Sequence, residues 1–241
     1  MSFKKVIKNI IAKSKPFLNI LKDESYFEYF QSRGIHLITN RFYFPVPDTS
    51  EVSDRVFEKQ SDLMGININE EYQIFLLNQF IKHYKLEFSA IAYFKTEKQY
   101  EFYYDNGGFQ GLDSIALYCM IRYFKPKNII EIGSGNSTLL SAKAVLKNLE
   151  IEQLKCNLYA YEPYPNQILK QGFRGLTQLF TKKAQEIRPE EFNILKENDI
   201  LFIDSTHVLK IGSDVQYLFL EILPRLKKGV IIHVHDIFFP E

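Results

Sequence analysis

Five short apolar runs in the back half of the chain each end on residues able to do chemistry. Asn128-Ile-Ile-Glu-Ile132 leads into Gly133-Ser134-Gly135, Asn157 to Tyr161 ends on Glu162, and Leu179 to Lys183 runs into Ala184 and Gln185. Ile200-Leu-Phe-Ile203 ends on Asp204, with Ser205, Thr206 and His207 following, and Val230 to His235 ends on Asp236. Glycine at 133 and 135 lets the backbone turn tightly and lets a ligand approach with no Cβ in the way. A Gly-x-Gly-x-x-Gly dinucleotide fingerprint needs glycine at 138, where Thr138 stands, which weakens a pyrophosphate reading. The acid at Glu131, two positions before the first glycine, suits a ligand carrying an ammonium instead. Glu162 offers two acceptor oxygens, which match the two hydroxyls of a ribose.

The histidines divide by setting. His207 stands three residues past Asp204 on the loop leaving its strand, where an imidazole titrating near neutrality can serve as a general base. The competing reading is a loop histidine that only ties down its turn. His233 and His235 fall on one face of their strand by alternation, which sends Asp236 to the other. A His-x-His pair with carboxylates nearby invites a metal. His233, however, is embedded in Val/Ile sequence and reads as a packed core residue, so no metal is assigned.

These residues need a scaffold that brings strand ends together. Helices are expected over Asp113–Phe124, Ser137–Leu149, Asn166–Phe173, Pro189–Lys196 and Asp214–Leu226, alternating with the five strands. Short apolar strands alternating with helices imply right-handed βαβ units and a parallel sheet covered on both faces. The expected fold class is α/β, a Rossmann-like doubly wound sheet, whose ligands sit beyond the carboxyl ends of the strands. The expected division is residues 1–110, a mainly helical and irregular extension, and 111–241, the Rossmann-like domain. Within the extension, residues 3–21 space Phe3, Ile7, Ile10, Phe17 and Leu21 like a helix with lysines between. That stripe suits either an anionic membrane surface or, as the preferred reading, the protein's own core. Asn69 is expected to cap a helix from Glu70 to Tyr84, and Asn106-Gly107-Gly108 to form a turn.

Composition narrows the function classes. The chain has 241 residues, 46% hydrophobic and 24% charged, enough for a full core without staples. Thirty basic against twenty-nine acidic residues give a net charge of +1, without the basic excess of a nucleic-acid binder. Two cysteines, Cys119 and Cys156, form no disulfide framework and fit a reducing cytoplasm. No run approaches the ~20 apolar residues of a membrane span. The lysine-rich start lacks the apolar core of a signal peptide.

Taken together, Glu131-Ile-Gly-Ser-Gly-Asn-Ser137, Tyr161-Glu-Pro-Tyr-Pro165, Leu201-Phe-Ile-Asp-Ser-Thr-His207, Lys210-Ile-Gly-Ser-Asp214 and His233-Val-His-Asp236 resemble class I S-adenosyl-L-methionine (SAM)-dependent methyltransferases. The branch is similar to bacterial FkbM-like or small-molecule methyltransferases, and Arg41 to Asp48 and the Asn106 turn also look like its amino-terminal region. The resemblance implies that Gly133, Ser134 and Gly135 pass under the methionine part of SAM and that Glu162 holds its ribose. Ala184 and Gln185 would lie beside the adenine, and Asp204 would face the methionine end together with Glu131. His207, His235 and Asp236 are then the candidate catalytic residues.

Two departures from the family pattern bear on activity. Ser137 replaces a third glycine, and the sheet of relatives continues after the fifth strand, so the family's last strands are expected to be missing here. The apolar Ile237-Phe-Phe-Pro240 is expected near an open sheet edge, favouring self-association. The leading function is methyl transfer to a hydroxyl or amine of a small molecule, a sugar among the candidates. A nicotinamide-dependent oxidoreductase, sharing the acid at Glu162, and a non-catalytic SAM-binding protein remain as alternatives.

Overall fold

A computed structural model describes residues 26–36 and 62–237, with Asn19. The expected helix at 3–21, apart from Asn19, and the Arg41–Asp48 segment lie outside the described residues. Two units are distinguished, one within Met1–Ile66 and one spanning Asn67–Phe238. In the first, α1 (Phe27–Gln31) is a short exposed helix. The Ser32 hydroxyl donates to the Tyr29 carbonyl at 2.8 Å, and the Arg33 guanidinium lies 3.7 Å over the Tyr29 ring.

The second unit is built on five parallel strands, β1 (Asn128–Ile132), β2 (Asn157–Tyr161), β3 (Gln178–Phe180), β4 (Ile200–Ile203) and β5 (Ile231–Val234), in the order β3-β2-β1-β4-β5. Strand alternation sorts their side chains into two cores. Ile129, Leu158, Ile200 and Phe202 face one cluster, and Ile130, Leu201 and Ile203 face the other. Each fully buried Ile or Leu contributes roughly 1.5–3 kcal/mol. The first face is covered by α2 (Glu70–Ser89), α3 (Gly111–Phe124) and α4 (Asn136–Glu152). The second is covered by the 3-10 segments Ala184–Glu186 and Pro189–Ile194 and by α6 (Asp214–Tyr217) with its continuation to Arg225. The short α5 (Gln167–Gln171) follows β2, capped by Asn166, whose side chain accepts from the Leu169 amide. Helices on both faces of a parallel sheet make this the α/β doubly wound, Rossmann-like fold the strand pattern implies.

Several expected details change. The helix from Glu70 runs on to Ser89 rather than stopping at Tyr84, and Asn69 gives it no side-chain cap. Asn69 sits instead at φ +50, and its amide donates to the Asn67 side chain at 3.0 Å. The helix after Asp214 continues through a wider turn at Leu218–Ile222 and a 3-10 turn at Leu223–Arg225. The compact unit spans Asn67–Phe238 and so takes in residues on both sides of the 110/111 position. Phe80, Tyr84, Ile91, Phe102 and Phe109 pack in one cluster with Leu117, Leu140 and Phe202, so residues 70–109 are part of the sheet's own cover.

A charged network locks that cover. Arg122 is 2% exposed and meets Glu87 through two donors, Nε at 2.7 Å and Nη2 at 3.0 Å. Tyr118 adds its hydroxyl to Glu87 at 2.9 Å, and Arg122 also donates to the Asn148 side chain, joining α2, α3 and α4. At the amino end of the sheet, Asp199 accepts the Lys127 and Asn128 amides, both at 2.8 Å, which fixes β1 against β4.

Candidate functional site

The strand ends converge on one cleft. Beyond the strands proper, the ladder continues from the Gly133 amide to the Tyr161 carbonyl (2.9 Å), from Asp204 to Ile132 (2.8 Å), and from His235 to Ile203 (2.9 Å). Gly133 is forced by this closeness. Its φ is +81, and a Cβ there would lie 1.8 Å from the Asp204 carbonyl oxygen. Gly135 has extended backbone with open space where a Cβ would stand.

A cleft of about 470 Å³ opens above the turn, lined by Gly133, Glu162, Ala184, Gln185 and Asp204, and by Lys182, Lys183, Thr206 and Lys210. That volume is within the range of small-molecule sites. The Glu162 carboxylate is held at its rim by two backbone donors, Ser134 N–H to Oε2 at 3.2 Å and Tyr164 N–H to Oε1 at 2.8 Å. One donor per oxygen leaves acceptor capacity on both. Ala184 is buried, with an apolar face to the cleft, whereas Gln185 spends its amide on the Gly212 carbonyl at 2.7 Å. Gln185 therefore ties the 205–213 loop across the opening.

Glu131 is placed differently from its expected position facing a ligand. Strand alternation turns it toward the α4 side, where it is fully buried and absent from the cleft lining. Its Oε1 accepts the hydroxyls of Ser137 (2.6 Å) and Thr138 (2.9 Å), and Thr138 in turn accepts the Gly135 amide at 3.1 Å. The serine and threonine that depart from the glycine patterns are thus what bind the acid to the turn. Burial raises the Glu131 carboxyl to about 8 against these two hydroxyls, with Asp204 adding repulsion. Its Oε2 and the Ser134 hydroxyl are buried polar atoms without a partner among the described residues.

The candidate catalytic residues come together at the other side of Asp204. His235 Nδ1 lies 3.1 Å from Asp204 Oδ1, and His207 Nε2 lies 3.3 Å from the same oxygen. Asp236 stands 3.5 Å from His235 Nδ1 and 3.7 Å from His207 Nε2. Simple alternation would send the Asp236 carboxylate to the opposite face. The strand ends at Val234, and a left-handed backbone at Asp236 (φ +53) swings that carboxylate back toward the histidines. His207 is also left-handed (φ +58). Asp204 and His207 accordingly share one cluster rather than facing separate parts of a ligand. His233 stays in the core, edge-on to Phe202 at 4.9 Å, and burial, with His235 next, lowers it to about 4.

Two contributors, Asp113 and Phe109, escape a reading by motif. Asp113, in the first turn of α3, brings Oδ2 to 3.4 Å from His235 Nε2. Phe109 packs its ring on both Phe202 (5.9 Å) and His235 (5.0 Å). Asn106 accepts the Asn136 amide at 2.8 Å, so the front segment walls the site. Asp214 receives the Thr206 amide (2.8 Å) and hydroxyl (2.6 Å), shaping the loop that carries His207. Burial pushes Asp214 up, yet hydrogen bonds from Ser205 and Thr206 outweigh it and hold the carboxyl below its ordinary range. Only the Asn-Gly-Gly signal at 106–108 marked this wall in the sequence.

The cleft suits an adenosyl cofactor on observations of its own. It has nucleoside dimensions, a diol-sized acceptor in Glu162, an apolar floor in Ala184, and an unpartnered buried hydroxyl at the glycine turn. Comparison with known proteins gives the family. Residues 130–237 match the family described as "Methyltransferase domain". A protein of Archaeoglobus fulgidus, described only as uncharacterized, is 30% identical over 172 residues, covering 66% of this chain and 73% of the relative. No solved structure matches the chain. The sheet order, the cleft at its switch point and the match across both make this chain a member of the class I SAM-dependent methyltransferases.

Proposed function

We propose that the protein binds SAM in this cleft and transfers its methyl group to a hydroxyl or amine of a small molecule, sugars being one candidate class. The observation that carries the proposal is the adjacency of two unlike walls. Glu162 lines the cleft with acceptor capacity to spare, and Asp204 lines it too while carrying His207 and His235 on its carboxylate. When bound, SAM supplies an activated methyl on a sulfonium.

The chain's own residues then have two tasks. Glu162 takes the ribose hydroxyls, Ala184 meets the adenine, Gln185 holds the loop beside it, and Gly133, Ser134 and Gly135 leave backbone room for the methionine part, with Glu131 buttressing their turn. Holding the reactants aligned supplies most of what a methyl transfer needs. The cluster makes the acceptor nucleophilic. As free side chains, His207 or His235 would take its proton, with Asp204, Asp236 and Asp113 setting ring orientation.

Among the described residues no helix is long and apolar enough to cross a membrane. The unpaired thiols support a cytoplasmic setting, Cys119 buried and pushed up to about 12 by that burial. Exposed Ile232 and Ile237 support self-association along β5.

Thermal-shift and calorimetric titrations with SAM, S-adenosylhomocysteine, NAD and NADP test the cofactor. Binding of NAD but not SAM would return the reading to an oxidoreductase. SAM binding without methyl transfer from labelled SAM, across an acceptor panel of sugars, phenols and amines, would leave a binding protein.

A further inference from the structure

We infer that a second binding site, separate from the cofactor cleft, lies in the groove formed by α2, α3 and α4. Its ligand is a small amphipathic monocarboxylate, an aromatic or aliphatic body carrying one acid. The groove has a volume of about 720 Å³, within the range of small-molecule sites, and it shares no lining residue with the cleft. Its walls come from the helices that cover the first core.

Helical spacing builds those walls. Lys143, Leu146 and Lys147 stand at i, i+3 and i+4 on α4, a spacing that puts all three on one face. Leu86, near the end of α2, and Ala90, its C-cap, stand four residues apart and supply apolar surface. Leu86 is 88% exposed, a branched side chain left in water at the groove. A ligand body laid over it takes that apolar area out of water, which is favourable in proportion to the area covered.

Charge selects an anion, and a single one. Two acids line the groove, Glu87 and Glu150. Glu87 already receives two guanidinium donors from Arg122 and the Tyr118 hydroxyl, so its charge is compensated. Lys147 lies 3.1 Å from Glu150, and Lys143 lies 3.6 Å from Glu101. That leaves Arg174, an exposed side chain in the lining with no hydrogen bond or ion pair among the described residues. One uncommitted cation matches one carboxylate, which a guanidinium meets through two parallel donors. A phosphomonoester, with nearly two charges, would have to draw both lysines off their acids.

The turn that carries Arg174 is fixed against α4 on both sides of that residue. Phe173 packs on the first core and stacks on the Tyr100 ring at 5.9 Å. Gly175 has a φ of +96, and a Cβ there would lie 2.9 Å from both the Cβ and the carbonyl oxygen of Ala142, the residue before Lys143. Glycine alone permits that approach. The Arg174 backbone is therefore held near the two lysines while its guanidinium stays free. A cation placed in advance lowers the ordering cost of taking up an anion.

The test titrates the full chain by calorimetry with naphthoate as the probe, beside the neutral naphthamide and the more highly charged naphthyl phosphate. Each titration is run with and without excess S-adenosylhomocysteine. The expected result is one naphthoate per chain, bound about tenfold or more tightly than the amide and indifferent to S-adenosylhomocysteine. Arg174→Gln and Leu86→Asp, both at exposed positions, should keep the wild-type melting temperature and each weaken naphthoate by about tenfold or more. Arg174→Lys keeps the charge without the planar fork and should restore only part of the affinity. Wild-type protein with an intact melting transition that binds no naphthoate at millimolar concentration would overturn the inference. So would equal affinity for the amide, tighter binding of the phosphate, displacement by S-adenosylhomocysteine, or unchanged binding in folded Arg174→Gln.

Discussion

Arg122 and His235 are both pressed against carboxylates, but the two surroundings follow opposite rules. Around Arg122 each charge meets a complement, with Glu87 receiving two guanidinium donors and the Tyr118 hydroxyl, and Asn148 taking another. Around His235 three carboxylates, Asp113, Asp204 and Asp236, gather on two imidazoles at distances of 3.1 to 3.5 Å from this ring. The first region is satisfied and sits between helices. The second has more carboxylates than imidazoles and adjoins a cleft. A closed network of opposite charge reads as a fastening, whereas several carboxylates crowded around two imidazoles read as a place where a proton can change hands.

The largest effect expected from this contrast is on the fastening. Arg122→Met leaves Glu87 half buried without its partner and should cost about 3–5 kcal/mol of stability. Denaturant unfolding would measure it, while His235→Gln, at the carboxylate-rich cluster, should cost far less by the same assay. Burial pushes Glu87 up, but the bonds from Arg122 and Tyr118 prevail and hold it low. The pair's contribution is therefore present above the ordinary carboxylate range and fades on acidification.

Glu131 behaves in the reverse sense. With its folded pKa raised to about 8 from an ordinary 4.5, it holds a proton between those values in the folded state only. Its contribution is full below pH 4.5 and is lost as pH rises through 8, on the order of a few kcal/mol across the window. Glu131→Gln should flatten the wild-type slope in a pH series of unfolding curves. Parallel slopes in the two proteins would mean that the acid is charged in its pocket.

Next in size, Glu162→Ala should weaken SAM by ten- to a hundredfold, about 1.5–3 kcal/mol, and leave the unliganded melting temperature in place. An unchanged affinity in the folded variant would take the ribose role away from this residue. The smallest effect sharpens the comparison most. His207→Gly relieves a left-handed backbone and should stabilise the fold by about 1 kcal/mol while turnover falls. A lower melting temperature with weaker SAM binding would instead make His207 a structural tie.

Much of the scaffold was legible because buried parallel strands write themselves as unbroken apolar runs. β1, β2 and β4 fall where the runs placed them, and each ends on the polar residue that marks the cleft. Helix ends were less legible, since Asn69 has a capping side chain but a left-handed backbone that prevents its use. The site was half visible. Glu162, Ala184, Gln185 and Asp204 line the cleft as strand ends should. Glu131 looks like a ligand group in one dimension and is a buried brace in three. Asp113 carries no local signal, because its partner His235 is brought to it only by the packing of α3 on the sheet. The turn of Asp236 toward the histidines depends on a single φ, which alternation does not encode.

The missing Cβ of Gly133 also has a consequence for the order in which the molecule is made. Its hollow is filled by the Asp204 carbonyl, a group from a strand that pairs Ile129 with Ile200, far along the chain. β1, β2 and β3 lie close in sequence and emerge early in synthesis, carrying the glycine turn and Glu162 with them. β4 and β5 come after them, and β4 must close the long loop back to β1 before it pairs, which slows their docking. A nascent chain can thus shape the nucleoside side of its cleft while the reacting side is still unmade, and the ability to do chemistry is the last property it acquires.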